Sequence, residues 1–307
     1  MKFLRYLLPA TLSLLIATNV GSQDLDLKGK AKGKISSFKD AKIHAYTQQF
    51  TDSINSFIKN NFENNKYLDF SVNTQDYLKP TFSIMSVNEI KKLDNGTIFN
   101  QTSINTHDGD ETINIGFGTR RLLNDNTIIF GANAFYDHQL TESHERVGLG
   151  VEAITSDFDL RYNHYSAMSG RRTNAEGTIE RALDGWDLRA DYHLPIDHDV
   201  NVFVSAFEFE NPESVSAYKE TGNKFGVDAK VGNFAIEAGY MDDNQENDAY
   251  FGNIKYVVNF GSDNQDHSSS NSKSLTDVSD RLYEPVKREN KIRVVKIDAS
   301  GVVVGGF

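Results

Sequence analysis

Histidines at 138, 144, 164 and 193 and a set of alternating charges are the side chains in this sequence that could carry chemistry. A metal site needs several histidines converging with carboxylates. Asp137, His138 and His144 could meet in one loop, but their spacing reads as a solvated polar loop. A lipid-processing enzyme would need a serine, a histidine and an acid on one outer strand face. The sequence offers no such set, and neither an enzyme nor a cofactor is expected. The charges are more informative. Asp159 and Arg161 alternate with Phe158, Leu160 and Tyr162; Asp187, Arg189 and Asp191 alternate with Trp186, Leu188 and Tyr192. A lone charge facing lipid costs about 2–4 kcal/mol at the membrane midplane. If these segments span a membrane, Arg161 and Arg189 face a lumen. Inside it they can pair with Asp159, Asp187 and Asp191, or with Glu284, Lys287, Arg288 and Glu289 of a threaded C-terminal segment. Arg120-Arg121, Arg146 and Arg171-Arg172 read as surface or interface charge.

The elements that would position these groups are strands. Roughly twelve segments of period 2 lie near 67–74, 80–90, 96–107, 111–119, 127–137, 144–155, 157–167, 185–194, 199–209, 222–232, 234–241 and 249–260. Period 2 gives each strand one apolar and one polar face. Trp186, Leu188 and Tyr192 mark the lipid-facing parity of one strand, Tyr256 and Phe260 that of the last. The first strands are less clean, because Ser71, Thr74, Asn100 and Thr102 dilute the apolar face. Short connections at 155–157, 195–198 and 232–233 alternate with longer ones at 138–143, 168–184, 210–221 and 242–248. Outer-membrane barrels have short periplasmic turns and longer outer loops. The expected fold is therefore all-β: a transmembrane antiparallel up-and-down barrel of about twelve strands over 67–260.

The flanks differ in kind. Lys2 and Arg5 precede an apolar run to Val20, followed by Gly21 and Ser22, which reads as a secretory signal peptide over 1–22. Residues 23–66 form a polar lead and an amphipathic helix on the periplasmic side, with Ile43, Tyr46, Phe50, Ile54, Phe57 and Phe62 at helical spacing. Residues 261–307 form a Ser/Asn/Asp-rich linker through the pore and a short tail. Around Ile292, Val294 and Val303 one short extended piece is expected, with too little apolar content for a second domain. The chain has no cysteine, which excludes a disulfide scaffold. Its net charge of −11 excludes a nucleic-acid partner.

The stretch FGTRRLLNDNTIIFGANAFYDHQLTESHERVGLGVEA resembles the core of the intimin/invasin β-domain, the inverse autotransporter barrel. SGRR, GWDLRADYHLP and FEFENPE resemble it too, and SDRLYEPVKRENKI is similar to the segment by which that family's chain leaves its barrel. The resemblance covers about residues 41–297. It implies a twelve-stranded barrel in the bacterial outer membrane, inserted with the barrel-assembly machinery and periplasmic chaperones. It also implies that the segment after the last strand threads the pore and carries a C-terminal passenger outward for adhesion. Only Asn290 to Phe307 follows LYEPVKRE here, with neither a row of adhesion domains nor the lysine-motif domain of some members. A stand-alone barrel or small pore without a passenger is the alternative. Outer-membrane lipid is the expected surrounding, and a surface or host ligand at the loops or tail is left open.

Overall fold

The computed structural model describes residues 65–260 except 77, 108, 175–176, 197, 214–216 and 246–247, then residues 275–297, and the backbone of 303–306. The leader and the amphipathic stretch over 41–63 lie outside the described residues. Twelve strands close into one antiparallel barrel. The first seven are β1 (Asn65–Gln75), β2 (Thr81–Leu93), β3 (Gly96–His107), β4 (Asp110–Leu123), β5 (Ile128–Gln139), β6 (Glu145–Thr155) and β7 (Phe158–Ala167). After two short strands outside the barrel, β8 (Arg172–Thr173) and β9 (Ile179–Ala182), it continues with β10 (Asp184–His193), β11 (Val200–Glu210), β12 (Lys219–Val231), β13 (Phe234–Asp243) and β14 (Ala249–Asn259). β14 pairs β1 from Tyr67 opposite Asn259 to Gln75 opposite Phe251, so the sheet has no open edge. Closure lets strands cross hydrocarbon, because every backbone donor and acceptor finds a neighbour. No helix among the described residues is long and apolar enough to cross a membrane.

Alternation decides the two faces, as expected. Ile115, Phe117, Leu149, Val151, Val204 and Phe225 point outward and are exposed. Asn114, Asp137, Arg146, Glu152 and Arg161 point inward and are buried. Ser71 belongs to the inner face, so it does not dilute the outer one. Asn100 and Thr102 do face outward; the Thr102 hydroxyl donates to the Asn100 side chain at 3.2 Å, and the Asn100 amide donates to the Gly116 carbonyl at 2.9 Å. The turns at the short end use residues that tolerate left-handed backbone. Asn124, Asp125 and Asn126 between β4 and β5 have φ of 50, 53 and 66°, and Gly232 between β12 and β13 has 58°. On the other side the β3–β4 connection is also short, only residues 108–109, so long loops do not occupy every outer position.

The lumen is not purely polar. Phe99, Phe135, Tyr165, Phe203, Phe207 and Phe209 all point inward and are buried. Each stands opposite a glycine of the adjacent strand: Phe99 opposite Gly118, Phe135 opposite Gly116, Tyr165 opposite Gly148, Phe203 opposite Gly226, Phe207 opposite Gly222 and Phe209 opposite Gly185. A Cβ at Gly116 or Gly118 would run into the neighbouring ring. The rings therefore lie down against the wall instead of blocking the lumen, and they present flat faces to whatever fills it.

Candidate functional site: the threaded lumen

Residues 275–297 run through the barrel from the short-turn end to the long-loop end. The segment is held at its entrance by apolar contact. Val278 packs with Ile129 and Ile154, flanked by Leu122 and Leu282, and its N–H donates to the Asn126 carbonyl at 2.9 Å. A single 3₁₀ turn, Ser279–Tyr283, then aims Arg281 at the wall. Arg281 donates to both carboxylate oxygens of Asp159, at 3.0 and 2.7 Å, and to the Thr155 carbonyl at 2.6 Å. Residues 285–293 belong to no helix or strand, so no neighbouring strand pairs their backbone.

An extended chain inside a barrel must still pair its backbone groups. Here wall side chains replace a neighbouring strand. Arg120 donates to the Leu282 and Glu284 carbonyls at 2.9 and 2.5 Å. Gln101 accepts from the Val286 N–H at 2.7 Å and donates to its carbonyl at 3.4 Å. Asn163, Arg146 and Asn114 donate to the carbonyls of Lys287, Glu289 and Asn290 at 3.0, 2.6 and 2.9 Å. The Glu289 N–H donates to the Tyr165 hydroxyl at 2.8 Å.

The segment's cations meet wall carboxylates. Arg288 grips Asp137 through two parallel bonds of 2.8 and 2.7 Å and stacks over the Phe135 ring at 4.2 Å. Lys287 reaches Asp191 at 2.9 Å and Asp228 at 2.8 Å. Arg293 pairs with Glu220 and lies over Phe207 and Phe209. Of the two kinds of partner the sequence left open to Arg161 and Arg189, wall carboxylates are the main ones and acidic groups of the segment are not. Arg161 is neutralised within the wall by Asp159 at 3.0 Å, Asp191 at 2.9 Å and Glu152 at 3.8 Å, and among the described residues of the segment Glu284 alone approaches it, at 3.9 Å. Arg189 bonds the wall carboxylates Asp191, Asp228 and Glu237 and stacks on Phe203. Asp187 accepts from Asn163 and from the Tyr165 hydroxyl, not from an arginine. Glu284 folds back on its own Arg281 at 2.9 Å.

Other placements also differ from the sequence reading. Arg120 and Arg146, read as surface charge, are fully buried lumen groups. For Arg120 the cause is a strand end: β4 runs four residues beyond 119, and Arg120 shares inward parity with Asn114, Gly116 and Gly118. Asp137 points into the lumen, so it does not meet His144 in a loop. Among the described residues no group of three or more His, Asp or Glu side chains is placed to hold a metal. On the outer face Leu188 and Tyr192 are exposed, and Trp186 is half-buried against Tyr162. Tyr256 keeps outward parity but is buried, edge-on to Phe234 at 5.3 Å. Phe260 lies one residue beyond β14, in a bend, with its N–H on the Lys66 carbonyl at 2.9 Å.

The comparison with protein families decides what such a filled barrel is. The family model of the inverse autotransporter β-domain matches residues 13–290. The chain belongs to this family. A putative attaching and effacing protein homolog of Escherichia coli K12 is 38% identical over 100 residues, which are 32% of this chain and 34% of that protein. Intimin of Citrobacter freundii is 27% identical over 158 residues, 50% of this chain and 15% of intimin. The chain thus spans about a third or less of the curated relatives it matches. A membrane protein solved in a study of in-meso crystallisation has the same fold, with a TM-score of 0.63 and 19% identity over 74% of this chain and 98% of that one. The inverse autotransporter barrel resides in the bacterial outer membrane, with its apolar outer face in lipid.

At the outer mouth of this inverse autotransporter, His144, Ser169 and Glu180 come together, which the sequence did not suggest. His144 Nδ1 is 3.3 Å from the Ser169 hydroxyl, and its Nε2 is 3.5 Å from Glu180. The order resembles a nucleophile, base and acid, but all three are buried and the Ser169 oxygen accepts the Glu145 N–H at 3.1 Å. The trio serves as a tether between the β5–β6 rim and the β8–β9 hairpin. His144, whose Nε2 lies 3.5 Å away, and after it the Asn174 amide hold the Glu180 carboxyl below the usual glutamate range.

Proposed function

We propose that this inverse autotransporter β-domain carries its own C-terminal segment through its lumen to the cell surface and displays it there for adhesion. The observation that supports this most directly is the path of residues 275–297: Thr276 bonds Ser156 at the short-turn end, and Val295 and Ile297 are buried at the long-loop end. Short turns mark the periplasmic side of outer-membrane barrels, so the segment runs outward. Insertion by the barrel-assembly machinery with periplasmic chaperones is part of this proposal. A relative named as an inverse autotransporter adhesin, YeeJ of Escherichia coli K12, 33% identical over 100 residues, lends weight to an adhesive role at the surface.

Surface proteolysis of intact cells tests this, with one tag after Phe307 and another in the 168–183 connection. Both tags should be cut without lysis. A C-terminal tag cut only after the outer membrane is opened would put the tail in the periplasm and end the proposal.

A further inference from the structure

The outer mouth carries a structure that threading alone does not require. β8 and β9 form a hairpin, and β15 (Val294–Ile297) lies along β9, with β16 (Val303–Gly306) outside it. The sequence led to one short extended piece here, not to strands of a four-stranded sheet. The hairpin is fixed to the rim without help from β15. Glu213 accepts from Arg171 at 2.7 Å and from Arg181 at 3.1 Å, and Arg181 also bonds the Ser169 carbonyl. Asn174 accepts the Thr178 N–H and donates to Glu180, both at 2.9 Å. His144 supports Glu180 from beneath. These contacts hold the β9 edge through groups other than β15, and an edge so held lowers the entropic cost of pairing.

The strand on that edge fits in three ways. Its backbone pairs in register, Val294 opposite Ala182 through Ile297 opposite Ile179, and the Leu183 N–H extends the pairing to the Arg293 carbonyl at 3.0 Å. Val295 and Ile297 are fully buried against Leu183, Phe207, Phe209 and Met241 in the mouth of the barrel. Lys296, on the opposite face, stands across from Glu180. We propose that the β8–β9 hairpin and the mouth beneath it form a strand receptor, which captures segment 294–297 as it leaves the lumen and fixes how far the chain advances. This rests on the export reading above. The receptor takes an extended segment with apolar residues two apart and a basic residue between them. The lumen contacts alone do not set the stop as firmly, since many of them are made to backbone carbonyls, which any residue offers. The apolar positions supply a stop, because a slip of one residue turns both away from the mouth.

The test uses the full chain with a C-terminal tag, and reads the fraction of tag cut by external protease on intact cells. Heat-modifiable migration reports a folded barrel. Val295→Asp combined with Ile297→Asp should lower the exposed fraction at least about tenfold in folded barrels, since buried carboxylates undo the apolar contact. Lys296→Glu places like charges across the pair and leaves the hairpin's own anchors intact; it should lower the exposed fraction about fivefold, and Lys296→Gln, which adds no like charge, should lower it less. The chain has no cysteine, so Arg181→Cys with Val295→Cys should form one disulfide and keep the tag outside. Parent-level exposure in both the Asp double variant and Lys296→Glu overturns the capture, as does a loss in Lys296→Gln as large as in Lys296→Glu. A double variant that fails to fold leaves the decision to the Lys296 pair. A parent tag that is never cut from outside removes the export reading itself, and the capture with it.

Discussion

The two halves of the lumen wall treat the same threaded segment differently. Along β4–β7 the contact is dry: the side chains of Asp137, Arg146 and Arg120 are 0% exposed, Arg288 lies against Asp137, and Arg120 holds the Leu282 and Glu284 carbonyls. Along β12 and β13 the charged groups keep solvent, with Glu237 at 24%, Lys230 at 53% and the Lys287 that reaches toward them at 31%. The segment leans on one side of the barrel. An ion pair removed from water is costly to break, since the surviving partner is left buried and charged. A pair in contact with water is screened and contributes about 0–1 kcal/mol. The difference teaches that within the lumen the dry side contributes most of the hold on the segment, while the wet side mainly neutralises the lumen.

The largest effect should come from breaking the dry side. Asp137→Ala leaves Arg146 and Arg288 unpaired and should destabilise the filled barrel by about 3–5 kcal/mol, whereas Asp228→Ala on the wet side should cost less than about 1 kcal/mol. Denaturant midpoints in detergent micelles measure both; equal losses would erase the distinction between the halves. Next comes the contrast between inside and outside. Leu188→Arg puts a charge into hydrocarbon and should cost about 2–4 kcal/mol, impairing insertion far more than Asp187→Asn. Equal insertion of the two would show the faces to be reversed.

A lean toward one wall also has a transport consequence. The chain without 261–307 should form a wide channel in planar bilayers, and the full chain should pass only a small residual current through the wet side. Identical conductance would place the segment outside the pore. The smallest effect concerns the rim. Because the Glu180 carboxyl sits below its ordinary range, its contribution is present above about pH 4.3, the unperturbed glutamate value, and is lost as pH falls through the lower folded value. Protease nicking in the 168–183 hairpin should stay flat from neutral pH down to about 5 and rise below about 4; nicking that rises between pH 7 and 6 would point to a different group.

Much of the barrel was legible in the sequence. The alternation of Phe158, Leu160 and Tyr162 with Asp159 and Arg161 assigns faces residue by residue, because side-chain direction along a strand repeats every two residues whatever the neighbours are. The same rule would have placed Arg120 and Arg146 inside, had β4 been carried to Leu123 and both strands been read for their polar parity. The inward aromatics were harder to see. Phe207 and Phe209 look like apolar-face residues until their glycine partners across the strand pairs are known, and that pairing is not local.

Which charges meet was not legible at all. By itself the sequence determined that strands alternate, that a polar segment with Arg281, Lys287 and Arg288 follows the last of them, and that charges line one parity. Only the tertiary structure decided that Arg281 meets Asp159, that Arg288 meets Asp137, and that Val295 closes the mouth beside β9. The physical reason is that partners across a barrel depend on strand tilt and stagger, which the registers of all the strand pairs set together, while the face a residue occupies depends on its own strand alone.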